Sequence, residues 1–177
     1  NNAQNGALAH YVKFGQFETR PGDVDAGMGG TFRLTVSDDI VDGTANNDTF
    51  KANVLQNPNG QQVNSLGSGD EISGGAGVDT LMAKVTAGAF VAGNYTMPIQ
   101  PETTSVEIVK LEAVNSGIYV APQPDTPSQG EPSGPAITDV YINAKDMSGV
   151  TQLWSSRSDA NLVVQNMTTK GLTQLSD

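Results

Sequence analysis

The stretch Ser68–Leu81, SGDEISGGAGVDTL, sets four glycines and three acidic residues into fourteen positions. Aligned on itself with a step of nine, it places Asp70 over Asp79 and Ile72 over Leu81. The same step upstream places Asp39 over Asp48 and Val41 over Phe50. This register matches the nonapeptide pattern G-G-x-G-x-D-x-U-x, in which a glycine loop leads into a short strand whose large apolar residue U points inward. GGAGVDTLM, residues 74–82, satisfies each specified position. GTANNDTFK, residues 43–51, keeps Gly43, Asp48 and the inward Phe50, with Asn46 in place of the third glycine. The pattern predicts a mainly β chain built as a right-handed parallel β-solenoid, of β-roll or β-helix type, in which each unit is half a turn.

The loop chemistry follows from the backbone. Glycine, or Asn as the next best residue, permits positive φ, so such a loop can curl until several carbonyl oxygens face one point. An Asp adds charge there, and calcium prefers about six to eight hard oxygens at roughly 2.3–2.6 Å. The candidate ligand set for Ca2+ is Asp39, Gly43, Asn46, Asp48, Asp70, Gly74, Gly75, Gly77 and Asp79. Successive half-turns put their loops on opposite edges. If residues 52–64 form an outgrowth that preserves the alternation, Asp39 pairs with Asp70 and Asp48 with Asp79, giving one site on each edge. Ser65-Leu66 stands where two glycines belong before Asp70, which makes the Asp48–Asp79 edge the stronger. The alternative is that these are ordinary acidic turns. Against it, seven acids face one lysine between Ser37 and Thr80, and they repel one another without a cation.

Composition sets the outer bounds. Nine Lys and Arg against nineteen Asp and Glu leave a net charge of −10, which argues against nucleic acid and anionic membranes as partners. With no cysteine, neither a disulfide framework nor a thiolate metal site can form. No apolar run approaches the roughly 18 residues needed to cross a bilayer, so no membrane insertion is expected. Twenty glycines and many Thr, Asn and Ser suit short strands joined by tight turns. The chain opens without an initiator Met or a signal peptide and reads as a piece of something longer.

Along the chain, AQNGALAHYVKF at residues 3–14 has helical spacing, with Gly15 placed to end the helix. It reads as the end of a helical module over 1–20, followed by a linker over 21–35. The glycine-aspartate β-roll segment covers 36–90 and a further β-solenoid covers 91–177. Within the latter, residues 121–135 hold five prolines and form an exposed loop. The segments on either side, 105–114 and 137–144, are strand-like. Beyond the loop, GVTQLW at 149–154 recurs as GLTQLS at 171–176, twenty-two positions later. That period suits solenoid turns. The repeat aligns Leu153 with Leu175, both facing inward, and sends Gln152 and Trp154 to the opposite face. Trp154 either covers an edge of the core or is an exposed assembly or ligand contact.

Catalysis has little to draw on. His10 is the only histidine, and no nucleophile motif, zinc signature or phosphate loop accompanies it. The expected role is not enzymatic.

On these residues the sequence resembles a known family. FRLTVSDDIVDGTANNDTFKA, then LGSGDEISGGAGVDTLMA, then TSVEIVKLEAVNS are similar to the opening of the calcium-dependent surface-layer proteins of alphaproteobacteria and the related RTX surface proteins and adhesins. ALAHYVKFGQFETRP resembles the last helix of a small module found ahead of such segments. The resemblance covers residues 7–20, 32–83 and 105–114. It implies export without a cleaved N-terminal signal, folding on meeting calcium outside the cell, and a bacterial cell-surface or secreted location. It also implies a structural role, as a module that self-associates into a lattice or filament. The alternative role is a ligand-binding adhesin segment that recognises a cell-surface glycan or another surface ligand.

Overall fold

A computed structural model describes residues 28–60, 62–87, 90–91, 95–115, 139–168 and 171–176 of the chain. The expected N-terminal helix, His10 and the proline-rich loop at 121–135 lie outside the described residues. Within them the protein is mainly β, with no helix. The strands are β1 Thr31–Arg33, β2 Ile40–Asp42, β3 Thr49–Ala52, β4 Val54–Gln56, β5 Gln62–Asn64, β6 Glu71–Ser73, β7 Thr80–Thr86 and β8 Phe90–Val91. They continue as β9 Tyr95–Thr96, β10 Glu102–Thr104, β11 Ile108–Val114, β12 Val140–Asn143, β13 Gln152–Ser155, β14 Leu162–Gln165 and β15 Thr173–Ser176. β1 falls inside the stretch 21–35 that the sequence reads as a linker.

Hydrogen bonding divides these strands among separate sheets. A six-stranded parallel sheet runs β1-β3-β7-β11-β13-β15, and a three-stranded parallel sheet runs β10-β6-β2. A parallel pair joins β12 to β14, and the antiparallel pairs β4-β5 and β8-β9 stand apart. Hairpins aside, the chain alternates between the six-stranded sheet and one of the others. Inward residues of all the parallel sheets belong to one apolar cluster, so their outer faces point away from each other.

The step between paired strands records how the chain was lengthened. From Thr31 to its partner Thr49 is eighteen residues, two nonapeptide units. From Thr49 to Thr80 is thirty-one. The additional thirteen match the outgrowth expected at 52–64, where β4 and β5 form a hairpin. Its base is closed by Ser65 N–H donating to the Asn53 carbonyl (2.9 Å) and Asn53 N–H donating to Ser65 Oγ (2.7 Å). Because the outgrowth leaves and rejoins at one corner, the strands before and after it remain in register.

Period-two alternation then builds the core. One inward row of the six-stranded sheet runs Phe32, Phe50, Leu81, Val109 and Leu153 in direct register. Phe32 and Phe50 stack with ring centroids 5.2 Å apart, adding roughly 0.5–1.5 kcal/mol to the burial of their area. Val41 and Ile72 fill the facing row, and the four positions chosen as inward from the nine-residue step (Val41, Phe50, Ile72 and Leu81) all belong to or pack on the core.

The C-terminal repeat is offset from its sequence alignment. β13 and β15 pair Leu153 with Gln174 and Trp154 with Leu175, a step of twenty-one in place of twenty-two. Leu153 and Leu175 therefore do not share a row, and the inward row ends on exposed Gln174. One residue of slip exchanges the two faces of a strand. Gly149 and Gly171, twenty-two apart, keep matching positive φ values of 87° and 79°, so the turn repeats while the strand after it shifts. Leu172, just ahead of β15, packs on the core in the last layer.

Leu81→Ala, in the buried row, is expected to cost about 2–5 kcal/mol in urea unfolding. Leu55→Ala, 39% exposed in the hairpin, is expected to cost less than about 1 kcal/mol. Equal losses would contradict the assignment of β4-β5 as an outgrowth.

Candidate functional site: the aspartate edges

Both aspartate pairings expected from the sequence are present. Asp39 N–H donates to Asp70 Oδ1 at 3.0 Å, and Asp48 N–H donates to Asp79 Oδ1 at 2.6 Å. Asp48, Asp70 and Asp79 are buried. Asp39 precedes β2 and Asp70 precedes β6, whereas Asp48 precedes β3 and Asp79 precedes β7, so each pair marks the strand starts of a different sheet.

The turns ahead of Asp39 and Asp48 share a device. Thr44 donates to the Asp48 carboxylate twice, from its N–H to Oδ2 (2.5 Å) and from Oγ1 to Oδ1 (3.0 Å), and Thr44 Oγ1 accepts from Asn46 N–H (3.1 Å). Nine residues earlier, Thr35 N–H donates to Asp39 Oδ2 (2.6 Å), Thr35 Oγ1 to Asp39 Oδ1 (3.1 Å), and Ser37 N–H to Thr35 Oγ1 (3.2 Å). The hydroxyl closes each turn locally. This corrects the expectation for Asn46, which is not among the positive-φ residues: the Thr44 hydroxyl shapes the turn that Asn46 was expected to bend. In the next unit Gly75 and Gly77, at φ 91° and 123°, do so.

Gly43 and Gly74 matter for close approach. A β-carbon at Gly43 would strike the Gly74 carbonyl oxygen and lie 2.6 Å from Asp48 Oδ2. One at Gly74 would strike the Ser105 carbonyl oxygen and lie 2.5 Å from Asp79 Oδ2. A carboxylate oxygen and a carbonyl oxygen from the next layer thus converge beside each glycine. The Thr44 carbonyl lies equally close to Gly75.

The four carboxylates differ in how they are satisfied. Asp39 and Asp48 accept at both oxygens from the donors above, Asp48 Oδ1 also taking Gly30 N–H at 2.5 Å. Asp70 accepts Asp39 N–H at Oδ1 and Gly67 N–H at Oδ2 (2.7 Å). Asp79 accepts only at Oδ1, leaving Oδ2 buried without a hydrogen-bond partner. Its counterpart of Thr44 is Gly75, which has no hydroxyl. Burial raises the Asp79 pKa above the ordinary carboxyl value, partly offset by the Asp48 N–H and reinforced by the charges of Asp48 and Glu107. Burial likewise raises Asp70, against the hydrogen bonds from Gly67 and Asp39 and with the charges of Asp39 and Asp38.

Glu107 extends the ladder, a role not anticipated from the sequence. Asp79 N–H donates to Glu107 Oε2 at 2.8 Å. The legible signal was positional: Glu107 immediately precedes β11, as Asp48 and Asp79 precede their strands. Asn47, also unanticipated, accepts Val78 N–H at 2.8 Å across the same layer.

Among the described residues no group of three or more His, Cys, Asp or Glu is placed to hold a metal. Trp154 is half-buried. Lys110 Nζ lies 5.5 Å from its ring centroid, and its indole N–H donates to Gln152 Oε1 at 3.2 Å, so ring face and polar tip are both engaged within the chain. No protein-family model matches the chain, and no curated protein or solved structure matches it either.

A raised folded-state pKa means the fold binds the proton more tightly than the unfolded chain. Stability from Asp79 is therefore present below the ordinary carboxyl range and is lost as pH rises through the folded value. In chelator at pH 7, Asp79→Asn should be more stable than the parent by about 1–3 kcal/mol, the cost of an unsatisfied buried group. That gain should shrink as pH is lowered toward the carboxyl range, as thermal melts across pH would record. A loss of stability at pH 7 in chelator would contradict this account of Asp79.

Proposed function

We propose that this chain is a structural module of a calcium-dependent extracellular surface-layer or surface-filament protein, folded as a parallel β-solenoid. The observation that carries the reading is the buried, unpartnered Asp79 Oδ2, set beside Gly74 where the Ser105 carbonyl also converges. A buried carboxylate oxygen without a donor is costly, and a hard cation is one way to satisfy it. On the Asp48–Asp79 edge the oxygen donors for calcium are Asp79 Oδ2 and the Ser105 carbonyl beside Gly74, with the Gly74 and Thr44 carbonyls beside Gly43 and Gly75, while Asp48, whose oxygens already have protein donors, contributes charge. Calcium takes many of its ligands from backbone carbonyls, so a cluster of three acidic side chains is not required. On the Asp39–Asp70 edge every carboxylate oxygen already has a protein donor, and we assign that edge a structural capping role.

The solenoid reading is supported by the alternation of strands between sheets, the eighteen-residue step from β1 to β3 and the shared apolar cluster. The nonapeptide register supports the likeness to calcium-dependent bacterial surface proteins, and with it an extracellular location. No catalytic role is proposed. The engaged state of Trp154 favours the structural reading over an adhesin segment, since its ring is covered by Lys110 from the same chain.

Calcium at a hundred times its dissociation constant adds about 2.7 kcal/mol through linkage. Melting curves in calcium and in chelator should separate by several degrees for the parent and for Asp70→Asn. They should coincide for Asp79→Asn, and the separation should shrink for Asp48→Asn. Coincident curves for the parent would sink the calcium reading.

A further inference from the structure

The two outer faces of the protein carry opposite charge. On the six-stranded sheet, Arg33 and Lys51 stand directly beside each other, and Met82, Lys110 and Trp154 continue the same outward row. Lys84 lies one outward position further along β7, where it pairs with Glu112 (2.9 Å), and Arg157 reaches the same carboxylate at 3.3 Å. Five cations against Glu112 leave this face with four net positive charges, on a chain whose net charge is −10. Lys51, Met82, Lys84, Lys110, Glu112 and Arg157 border a groove of about 230 Å³.

The opposite face has the complementary make-up. On the three-stranded sheet, Ile40, Glu71 and Glu102 form one outward row, with Asp42, Ser73 and Thr104 in the next. They line a smaller groove of about 110 Å³. Each face also holds one exposed apolar side chain: Ile40 is 77% exposed among the acids and Met82 40% exposed among the cations.

Neither charge row is favourable by itself. Like charges directly opposite across a ladder are destabilising, and both Arg33 beside Lys51 and Glu71 beside Glu102 are of that kind. A row of the opposite sign laid over each would reverse the sign of that interaction. Both rows run across parallel strands and so share the ladder spacing of about 4.8 Å, which lets one face register on the other.

We propose that the basic face of the six-stranded sheet docks onto the acidic face of the three-stranded sheet in a second copy of this chain. The inference rests on the self-association reading above and names its contact; it does not require the calcium site. Since the two patches differ, the contact is heterologous. Each copy keeps one basic and one acidic face open, and association continues into filaments. The charge complementarity favours a second copy over an acidic polysaccharide, because the chain supplies both partners at matching spacing.

Sedimentation velocity across protein concentration, in calcium and in chelator, tests this with two variants. Lys51→Glu/Lys110→Glu reverses the basic face and Glu71→Lys/Glu102→Lys the acidic one; circular dichroism melts confirm that both fold. The parent should form a concentration-dependent ladder of oligomers that weakens at least about tenfold between roughly 0.1 M and 1 M salt, as the Debye length falls from about 10 Å to 3 Å. Each variant should sediment as a monomer. An equimolar mixture of the two should associate again and beyond the dimer, since the retained acidic face of one meets the retained basic face of the other and the two reversed faces also carry opposite charge. Variants that associate like the parent would overturn the proposed contact while leaving self-association standing. A parent monomeric at every concentration would overturn both. A monomeric parent whose basic face binds polygalacturonate would reassign that face to an acidic polymer and overturn the proposal.

Discussion

A carboxylate just ahead of β3, β7 and β11 accepts an amide proton from the residue just ahead of the preceding strand of the six-stranded sheet. Asp48 takes Gly30 N–H, Asp79 takes Asp48 N–H, and Glu107 takes Asp79 N–H. Parallel strands lack the two-residue hairpin that fixes register in antiparallel ones. Register must be set elsewhere, because a slip of one residue would turn Phe50 or Leu81 out to solvent. The ladder sets it at the first residue of the strand, with hydrogen bonds to charged groups worth about 1.5–3 kcal/mol each. The ladder ends at β11: β13, without such a carboxylate ahead of it, keeps Leu153 in the inward row, whereas β15, also without one, departs by one residue from the repeat in the sequence.

The same ladder brings acidic groups together at a buried edge, where burial and the charges of Asp48 and Glu107 oppose the ionisation of Asp79. Thr35 and Thr44 donate to both carboxylate oxygens of Asp39 and Asp48 respectively. Asp79 has Gly75 in the equivalent place and receives no such help. The contrast confines the electrostatic problem to one oxygen, and it is there that a cation has most to contribute. Charge elsewhere is sorted by face: cations on the outer side of one sheet, acids on the outer side of the other, with the apolar cluster between them. The hairpin outgrowth at 53–65 disturbs neither, since it leaves the stack at a corner.

Much of this was legible in the sequence. The nine-residue step of Asp and apolar residues was enough to place Asp39 with Asp70 and Asp48 with Asp79, because a nonapeptide fixes which edge each loop occupies. It also located the outgrowth, as the length needed to restore the alternation. Backbone conformation was less accessible. Asn46 was expected to supply positive φ, yet Thr44 shapes that turn through its hydroxyl, and a hydroxyl's partner depends on tertiary approach. Glu107 was hidden because the third layer replaces the glycine loop between the two strands with the shorter Ser105-Val106-Glu107, which breaks the motif while keeping the acidic position before the strand. The shift of β15 was invisible for a related reason: GVTQLW and GLTQLS align by identity, whereas pairing is decided by which residue the preceding turn delivers to the ladder.

Asp79 Oδ2 is the carboxylate oxygen that the protein leaves unsatisfied, and calcium is the ion proposed to complete it. Carbon-13 NMR of the aspartate side-chain carboxyls, followed through a calcium titration at neutral pH, tests this most directly. The Asp79 resonance should move saturably, and Asp48 with it, while Asp70, satisfied by Asp39 and Gly67, stays in place. A titration in which the Asp79 carboxyl does not respond, or in which Asp70 responds instead, would contradict the account.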